Sequence, residues 1–285
     1  MKRVCFGILA LSVYTLTTTV SMASEPSSTK PSADKVLQTL TAGNANFAKG
    51  NLTHPFTDKE RIALASKSNQ GNFATATIIS CSDSQVPVEY IFDGGLMNLF
   101  VIRVAGNVCN TDEIGSAEYG VCHVNTPVLI VLGHSQCGAV TAVAQTVMGK
   151  GHELEANIPP LVAPIVPAVE SVRTAFPQVT MDNLVNRSIE ANIWQGIEHI
   201  FTRSPAIRAK AASGDVTVVG AIYDLETGLV RWLPKEKVDA LLAKASGGQN
   251  NSPVKPEAHA APEPEAQAAP EAKAHEPAAP EHSAH

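Results

Sequence analysis

The sequence predicts an α/β protein with a mostly parallel β-sheet flanked by helices. Three short apolar runs, 74–80, 99–104 and 127–132, have the length and composition of strands buried on both faces. Helical patterns follow the second and third runs, over 112–124 and 137–148. Strands that alternate with helices are typical of a parallel sheet whose ligand site lies at the carboxyl ends of its strands.

Two helices are predicted before the first strand. Ser32 is a suitable N-cap for a helix that ends at Gly50-Asn51. Its apolar residues fall on one face at helical spacing: Val36, Leu37, Leu40 and Phe47. A shorter helix is predicted from about Asp58 to Ser66.

The second half of the chain predicts one long helix and two further strands. Residues 151–180 are rich in proline and irregular in pattern, which predicts a surface excursion. An apolar stripe predicts a helix over 181–201. The run 216–223 reads as a fourth parallel strand, and 229–233 follows it as the second half of a hairpin.

Both ends of the chain differ in composition from its centre. Residues 1–23 have a basic start, an apolar stretch and small residues at the end, which predicts a cleaved signal peptide and a periplasmic or secreted protein. A run of threonines within that stretch weakens the alternative of a membrane anchor. Residues 24–245 are predicted as the folded domain, free of the membrane after cleavage. Residues 246–285 consist mostly of Ala, Pro, Glu and His and are predicted to be disordered.

The overall charge argues against a nucleic-acid partner. The chain has 27 acidic and 21 basic residues, a formal net charge of −6, and no basic block that could neutralise a row of phosphates.

The chain has five cysteines; Cys5 lies in the predicted signal peptide, and the other four fall into two groups. Cys109 and Cys122 lie near the start and the end of one predicted helix, roughly 15–20 Å apart. A disulfide requires Cα atoms within about 7 Å, so both are predicted to be free structural thiols.

The other two cysteines follow predicted strands. Cys81 comes directly after the first strand, and His134 and Cys137 come directly after the third. Zinc prefers thiolate and imidazole ligands in a tetrahedral arrangement, so these three residues predict a zinc site with a fourth position for water or a carboxylate. The alternative interpretation is a pair of buried cysteines and one satisfied core histidine.

An ordered series of motifs resembles the β-carbonic anhydrase family across roughly residues 32–235. The matching segments are Cys81-Ser82-Asp83-Ser84, Leu99–Asn107, Gly133–Ala139, the Gly43-Asn44-Ala45-Asn46-Phe47 pattern and Val219–Asp224 with Thr227-Gly228. The resemblance implies a zinc enzyme that hydrates CO2 reversibly to bicarbonate through a zinc-bound hydroxide. It also implies a homodimer or larger homo-oligomer in which the amino-terminal helices embrace a partner subunit.

The resemblance assigns the individual site residues as well. Zinc would be held by Cys81, His134 and Cys137. Asp83 would either ligate the metal in a closed state or orient the hydroxide in an open one. Substrate contacts are expected from Gln70, although its spacing to Cys81 is stretched, and from Gly138.

Gln85 stands where the family normally has arginine after Cys-x-Asp-Ser, and Asn98 stands where an aspartate is frequent. That arginine usually pairs with the aspartate and holds it off the metal. Gln85 lacks its charge and its bidentate fork. Two hypotheses follow: either Asp83 closes the site by binding zinc, or Gln85 positions Asp83 adequately.

Two other functions remain compatible with these motifs. One is hydrolysis of carbonyl sulfide or carbon disulfide on the same fold. The other is a zinc-binding protein with little turnover.

Overall fold

The computed structural model of the protein describes residues 30–247. The predicted signal peptide, 1–23, and almost all of the predicted tail, 246–285, lie outside the described residues. A helix that ends at Gly247 continues two residues past the predicted end of the domain at 245.

A five-stranded sheet forms the centre of the described chain. Its strands are β1 (Ala76–Ser80), β2 (Leu99–Arg103), β3 (Val128–His134), β4 (Thr217–Tyr223) and β5 (Val230–Trp232). They lie in the order β2-β1-β3-β4-β5, with β1 to β4 parallel and β5 antiparallel to β4. The predicted mostly parallel sheet is therefore confirmed, including its final antiparallel pair.

Ten α-helices surround this sheet within the described residues. They are α1 (Ala33–Ala48), α2 (Lys59–Ala65), α3 (Val88–Ile91), α4 (Thr111–Cys122), α5 (Gly138–Val147), α6 (Ile158–Val162), α7 (Val166–Ala175), α8 (Met181–Arg203), α9 (Pro205–Ser213) and α10 (Lys235–Gly247). The two predicted amino-terminal helices are confirmed. Ser32 is the predicted N-cap and accepts the N–H of Lys35, and the structure adds a second N-cap, since Asp58 accepts the N–H of Arg61.

Alternate side chains of the central strands point to opposite faces of the sheet, and each face is buried in its own apolar cluster. Ile78 and Ile130 pack with α1 and α3 in one apolar cluster. Ile79 and its same-face neighbours pack with α4, α8 and α10 in another. All residues of β1 and β3 are buried, since helices cover both faces of these central strands.

The prediction of a surface excursion over 151–180 is wrong for most of that segment. It contains α6 and α7, and Ile165 and Val169 between and within them are fully buried against α5 and α8. Prolines stand in the first turns of both helices, where the missing N–H costs no intrahelical bond. The proline content therefore marks helix starts and not an irregular loop.

The sequence patterns also leave out α9 and α10. Ser204 caps α9 through a bond from the N–H of Ile207, and Pro205 opens the helix. Both helices pack against α8, so tertiary contacts support segments whose own apolar pattern is weak.

The structure tests the prediction that Cys109 and Cys122 do not form a disulfide. Cys109 and Cys122 are free thiols in the structure, as predicted. Among the described helices, none combines the length and the apolar character that crossing a bilayer requires.

The side chain of Asn44 attaches α1 to other elements of the same chain. Its buried side chain donates to the carbonyls of Ile91 (3.2 Å) and Gly228 (2.9 Å) and accepts the N–H of Val230 (2.8 Å). Gly43 permits this approach, because a β-carbon there would overlap the carbonyl oxygen of Phe92. The Gly-Asn pattern thus joins α1 to the end of α3 and to the β4–β5 connection.

Asp93 organises the loop after α1. Its carboxylate accepts hydrogen bonds from the backbone N–H groups of Thr53 and His54, from the Thr53 hydroxyl and from Asn46 Nδ2. Burial opposes ionisation of Asp93, but these hydrogen bonds outweigh it and hold the pKa below its usual 3.8.

We expect Asp93→Asn to lower the free energy of unfolding at neutral pH by about 1 kcal/mol, since hydrogen bonds to a charged acceptor are strong but water reaches and screens this carboxylate. Asparagine tolerates the positive φ of 47° at this position, so the substitution tests the charge and not the backbone. Because the pKa is lowered in the folded state, the stabilisation is full at neutral pH and disappears as the pH falls through that lowered value. The difference between wild type and variant should therefore shrink below about pH 4.

Urea denaturation from about pH 2.5 to 7 measures this difference. Asp239→Asn is the matched control, because Asp239 forms only an exposed i,i+4 ion pair with Lys235, which is worth little. A difference for Asp93→Asn that stays constant across this range would contradict the prediction.

Candidate metal centre

Cys81, His134 and Cys137 meet at the carboxyl edge of the sheet. Cys81 directly follows β1, His134 is the last residue of β3, and Cys137 is the N-cap of α5. One ligand atom from each lies within 4.8 Å of the others, and all three side chains are buried. The neighbouring parallel strands β1 and β3 end side by side, which brings together residues more than 50 positions apart in the sequence.

The imidazole of His134 is oriented for a ligand. Its Nδ1 lies 3.0 Å from the carbonyl oxygen of Ser135, which can only accept, so Nδ1 carries the proton. Its Nε2 is buried without a hydrogen-bond partner among the described residues. A buried nitrogen with a free lone pair beside two sulfur atoms is what a metal would satisfy.

The turn that follows His134 is fixed by β4. Ser135 donates its N–H to the carbonyl of Tyr223 (2.9 Å), and its hydroxyl accepts the N–H of Leu225 (2.9 Å). This turn carries the chain from His134 to Cys137 and sets the distance between the two side chains.

The surroundings of Cys81 favour a thiolate. Its sulfur accepts the backbone N–H groups of Gly106 (3.4 Å) and Asp83 (3.5 Å). The hydrogen bond from the Cys137 thiol is the largest influence and, with the adjacent His134 ring and these N–H groups, lowers the pKa of Cys81 despite its burial. Donating that bond and being buried raise the pKa of Cys137.

Gly106 must be glycine for this arrangement. It has a φ of 72°, and a β-carbon there would lie 2.5 Å from the Ile165 side chain. The backbone can therefore approach Cys81 closely only without a side chain at this position.

The donor set fits zinc. Two thiolates and one imidazole form a soft, nitrogen-containing set that leaves one of four tetrahedral positions free. The unpartnered His134 Nε2 and the N–H groups directed at Cys81 Sγ are consistent with that assignment.

Asp83 lies beside the cluster but is not one of its members. Its Oδ1 accepts the backbone N–H of Gln85 at 2.9 Å. The Gln85 side chain is exposed and forms no hydrogen bond within residues 30–247, so the contact comes from the main chain of Gln85. Coordination of a metal by Asp83 remains a prediction.

The two expected substrate-contact residues lie at different places. Gly138 is the exposed first residue of α5, adjacent to Cys137. Gln70 begins a 3-10 turn ahead of β1. It therefore lies toward the amino end of that strand, whereas Cys81 follows the carboxyl end. Within one chain, the fold therefore does not bring Gln70 to the three-residue cluster, and its contact with substrate remains a prediction.

Sequence reasoning did not identify Arg103 as part of this site. Its Nε donates to the carbonyl of Cys81 (3.1 Å) and its Nη2 to the carbonyl of Asp83 (2.5 Å). A charged, exposed residue at the end of an apolar strand was the available signal, since the strand end faces the same edge as the cluster.

The amino-acid sequence is similar to those of known carbonic anhydrases. The sequence model described as "Carbonic anhydrase" matches residues 76–230, more than half of the chain. Carbonic anhydrase 2 of Mycobacterium tuberculosis is 34% identical over 192 residues, covering 66% of this chain and 87% of that protein. A carbonic anhydrase of Mycolicibacterium smegmatis is 32% identical over 191 residues, covering 67% and 88%.

Solved structures share the fold. The β-carbonic anhydrase CafA of Aspergillus fumigatus superposes with a TM-score of 0.56 at 23% identity, covering 74% of this chain and 98% of that one. A tetrameric β-carbonic anhydrase of Sordaria macrospora has a TM-score of 0.54 at 20% identity, covering 70% and 97%.

Proposed function

The chain belongs to the carbonic anhydrase family, and from that premise we propose that it hydrates CO2 reversibly to bicarbonate with a zinc ion held by Cys81, His134 and Cys137. The observation that carries the proposal is the buried cluster itself, with two sulfur atoms and an imidazole nitrogen within 4.8 Å at the carboxyl edge of the sheet. Bound zinc supplies a Lewis acid that lowers the pKa of a water molecule to about 7.

The chain's own residues then have distinct tasks. The N–H groups of Gly106 and Asp83 stabilise negative charge on Cys81, and Ser135 holds the His134 ring in the tautomer that leaves Nε2 free. Gln85 N–H fixes Asp83 Oδ1, which leaves Oδ2 to accept a hydrogen bond from the reacting water.

We further propose that the site is open, with Asp83 off the metal. The bond from the Gln85 main chain supports this, because it holds Asp83 Oδ1 without needing an arginine at position 85. Of the two hypotheses for Gln85, the structure favours adequate positioning of Asp83, through the backbone and not through the glutamine side chain.

Assembly and location extend the proposal. We propose a homodimer or larger homo-oligomer; the tetrameric relative of Sordaria macrospora supports it. So does a set of exposed apolar side chains on α2, on α3 and in the loops before α2 and β2: Phe56, Ile62, Leu64, Tyr90 and Leu96. Light scattering of the purified chain tests the oligomeric state.

A periplasmic or secreted location is proposed on the composition of residues 1–23 alone. Fractionation of cells that express the chain tests this location.

Stopped-flow CO2 hydration by the zinc-loaded chain without residues 1–23 tests the activity. We expect turnover that rises from about pH 6.5 to 9 as the metal-activated water ionises. Gln85→Ala should change the rate by less than about tenfold, because alanine still supplies the N–H that binds Asp83.

Gln85→Arg serves as the matched comparison. Activity that appears only in Gln85→Arg would contradict the open site, and silence in both variants and wild type would contradict the proposed reaction. Parallel assays with carbonyl sulfide and carbon disulfide identify the sulfur-substrate alternative, and zinc content without any turnover identifies a zinc-binding protein.

A further inference from the structure

Arg103 joins the end of β2 to the loop that carries Cys81 and Asp83. Parallel pairing sets Arg103 level with Ser80, the last residue of β1. The ladder continues one step further, since Val104 N–H donates to Ser80 O (3.0 Å) and Ser82 N–H donates to Val104 O (3.3 Å). The Arg103 side chain thus starts at the point where the loop leaves the sheet.

The guanidinium spans two carbonyl groups of that loop. Nε donates to Cys81 O at 3.1 Å and Nη2 donates to Asp83 O at 2.5 Å. A guanidinium is planar, permanently charged and rich in donors, so it fixes the spacing and direction of both carbonyls at once. Lysine could offer only a point charge to the same pair.

Fixing these carbonyls determines where Asp83 points. With the main chain held, the N–H of Asp83 faces Cys81 Sγ (3.5 Å) and its Oδ1 faces the N–H of Gln85 (2.9 Å). In this conformation the carboxylate is outside the group of ligand atoms formed by Cys81, His134 and Cys137.

Position 85 lacks the arginine that is usual in the family, but Arg103 on the neighbouring strand β2 places a guanidinium on the same loop. Within residues 30–247 Arg103 forms no ion pair, so its donors remain committed to the loop carbonyls. The contact acts on the main chain of Asp83 and leaves its carboxylate free for the bond with Gln85 N–H.

We propose that Arg103 is a positioning residue that keeps the Asp83 carboxylate away from the metal by clamping the carbonyls of Cys81 and Asp83. The inference rests on the proposed zinc site. It predicts that loss of the clamp lets Asp83 rotate into the fourth metal position and exclude other ligands from it.

The test measures azide binding to the full chain substituted with cobalt, followed by the visible spectrum of the metal. Azide needs an open position, and its binding requires no turnover. Arg103→Gln should weaken azide binding by about 10- to 100-fold, because the apparent affinity falls with the fraction of chains in which Asp83 leaves the metal position open. The double variant Arg103→Gln/Asp83→Asn should restore binding, because the asparagine side chain is a poorer metal ligand.

Two further variants keep the test decisive. Arg173→Gln is the matched control, since Arg173 donates to a single carbonyl, that of Val147, away from the site and should leave azide binding unchanged. Arg103→Lys keeps the charge without the fork and should also weaken azide binding, which covers the case in which Arg103→Gln fails to fold.

Unchanged azide affinity in Arg103→Gln or Arg103→Lys would overturn the inference. Weakened binding that Asp83→Asn does not restore would also overturn it, because the effect would then not pass through Asp83. Restored azide binding in the double variant, together with a wild-type chain that does not hydrate CO2, would support the clamp while contradicting the proposed activity, so the two failures are distinguishable.

Discussion

Replacing Cys137 by serine is expected to remove zinc from the protein and to lower CO2 hydration by more than about 100-fold. Loss of an outer-shell partner alone typically costs 10- to 100-fold in metal affinity or activity, and loss of a direct ligand costs more. Serine keeps the size of the side chain, but its hydroxyl does not supply the thiolate that zinc prefers.

The immediate sequence neighbours of Cys137 cannot take its place as a ligand. As the N-cap of α5 it is 1% exposed, and Gln136 on one side and Gly138 on the other are both exposed. The remaining pair, Cys81 and His134, provides only two of the three protein ligands in the cluster.

Zinc per chain after dialysis and stopped-flow hydration measure this prediction. Cys109→Ala is the matched control: Cys109 is equally buried, at 1% exposed, but belongs to the core between the sheet and α8. It should retain one zinc per chain. Full zinc content and activity in Cys137→Ser would show that the cluster is not the metal site.

Asn44→Ala is expected to cost about 3 kcal/mol of folding free energy, the largest effect on stability that we anticipate from removing a single polar side chain. The change leaves the carbonyls of Ile91 and Gly228 and the N–H of Val230 without partners. Each abandoned buried group costs about 1–3 kcal/mol, less when water can reach it. Alanine's better helix propensity offsets well under 1 kcal/mol of this loss.

Urea denaturation and thermal unfolding measure the loss. For a domain of this size, about 3 kcal/mol corresponds to a decrease in Tm of roughly 6–12 °C. Asn186→Ala on α8 is the matched control, because Asn186 is exposed and helical, and it should change stability by less than about 0.5 kcal/mol. A loss below about 1 kcal/mol for Asn44→Ala would mean that α1 is held mainly by its apolar face.

The local patterns predicted the elements that carry their own signal. The buried runs at β1 and β3 and the apolar stripe of α8 are periodic features of the chain, and Ser32 and Asp58 are caps that act within one turn. Such features depend on near neighbours in the sequence, so they can be recognised without the fold.

The patterns misjudged the elements that depend on contacts. The segment 151–180 resembles a loop because of its prolines, yet burial of Ile165 and Val169 against α5 and α8 makes it helical. The helices α9 and α10 have weak patterns of their own and are supported by α8.

By itself the sequence determined the mostly parallel sheet, the edge at which its chemistry lies and three residues, Cys81, His134 and Cys137, whose side chains suit zinc. Only the tertiary structure decided how the surrounding residues are arranged. It set Arg103 on the loop carbonyls, turned Asp83 toward the Gln85 main chain and left Gln70 toward the amino end of β1. The physical reason is that residue type and local order fix what a side chain can bind, whereas strand register and loop hydrogen bonds fix which side chains meet.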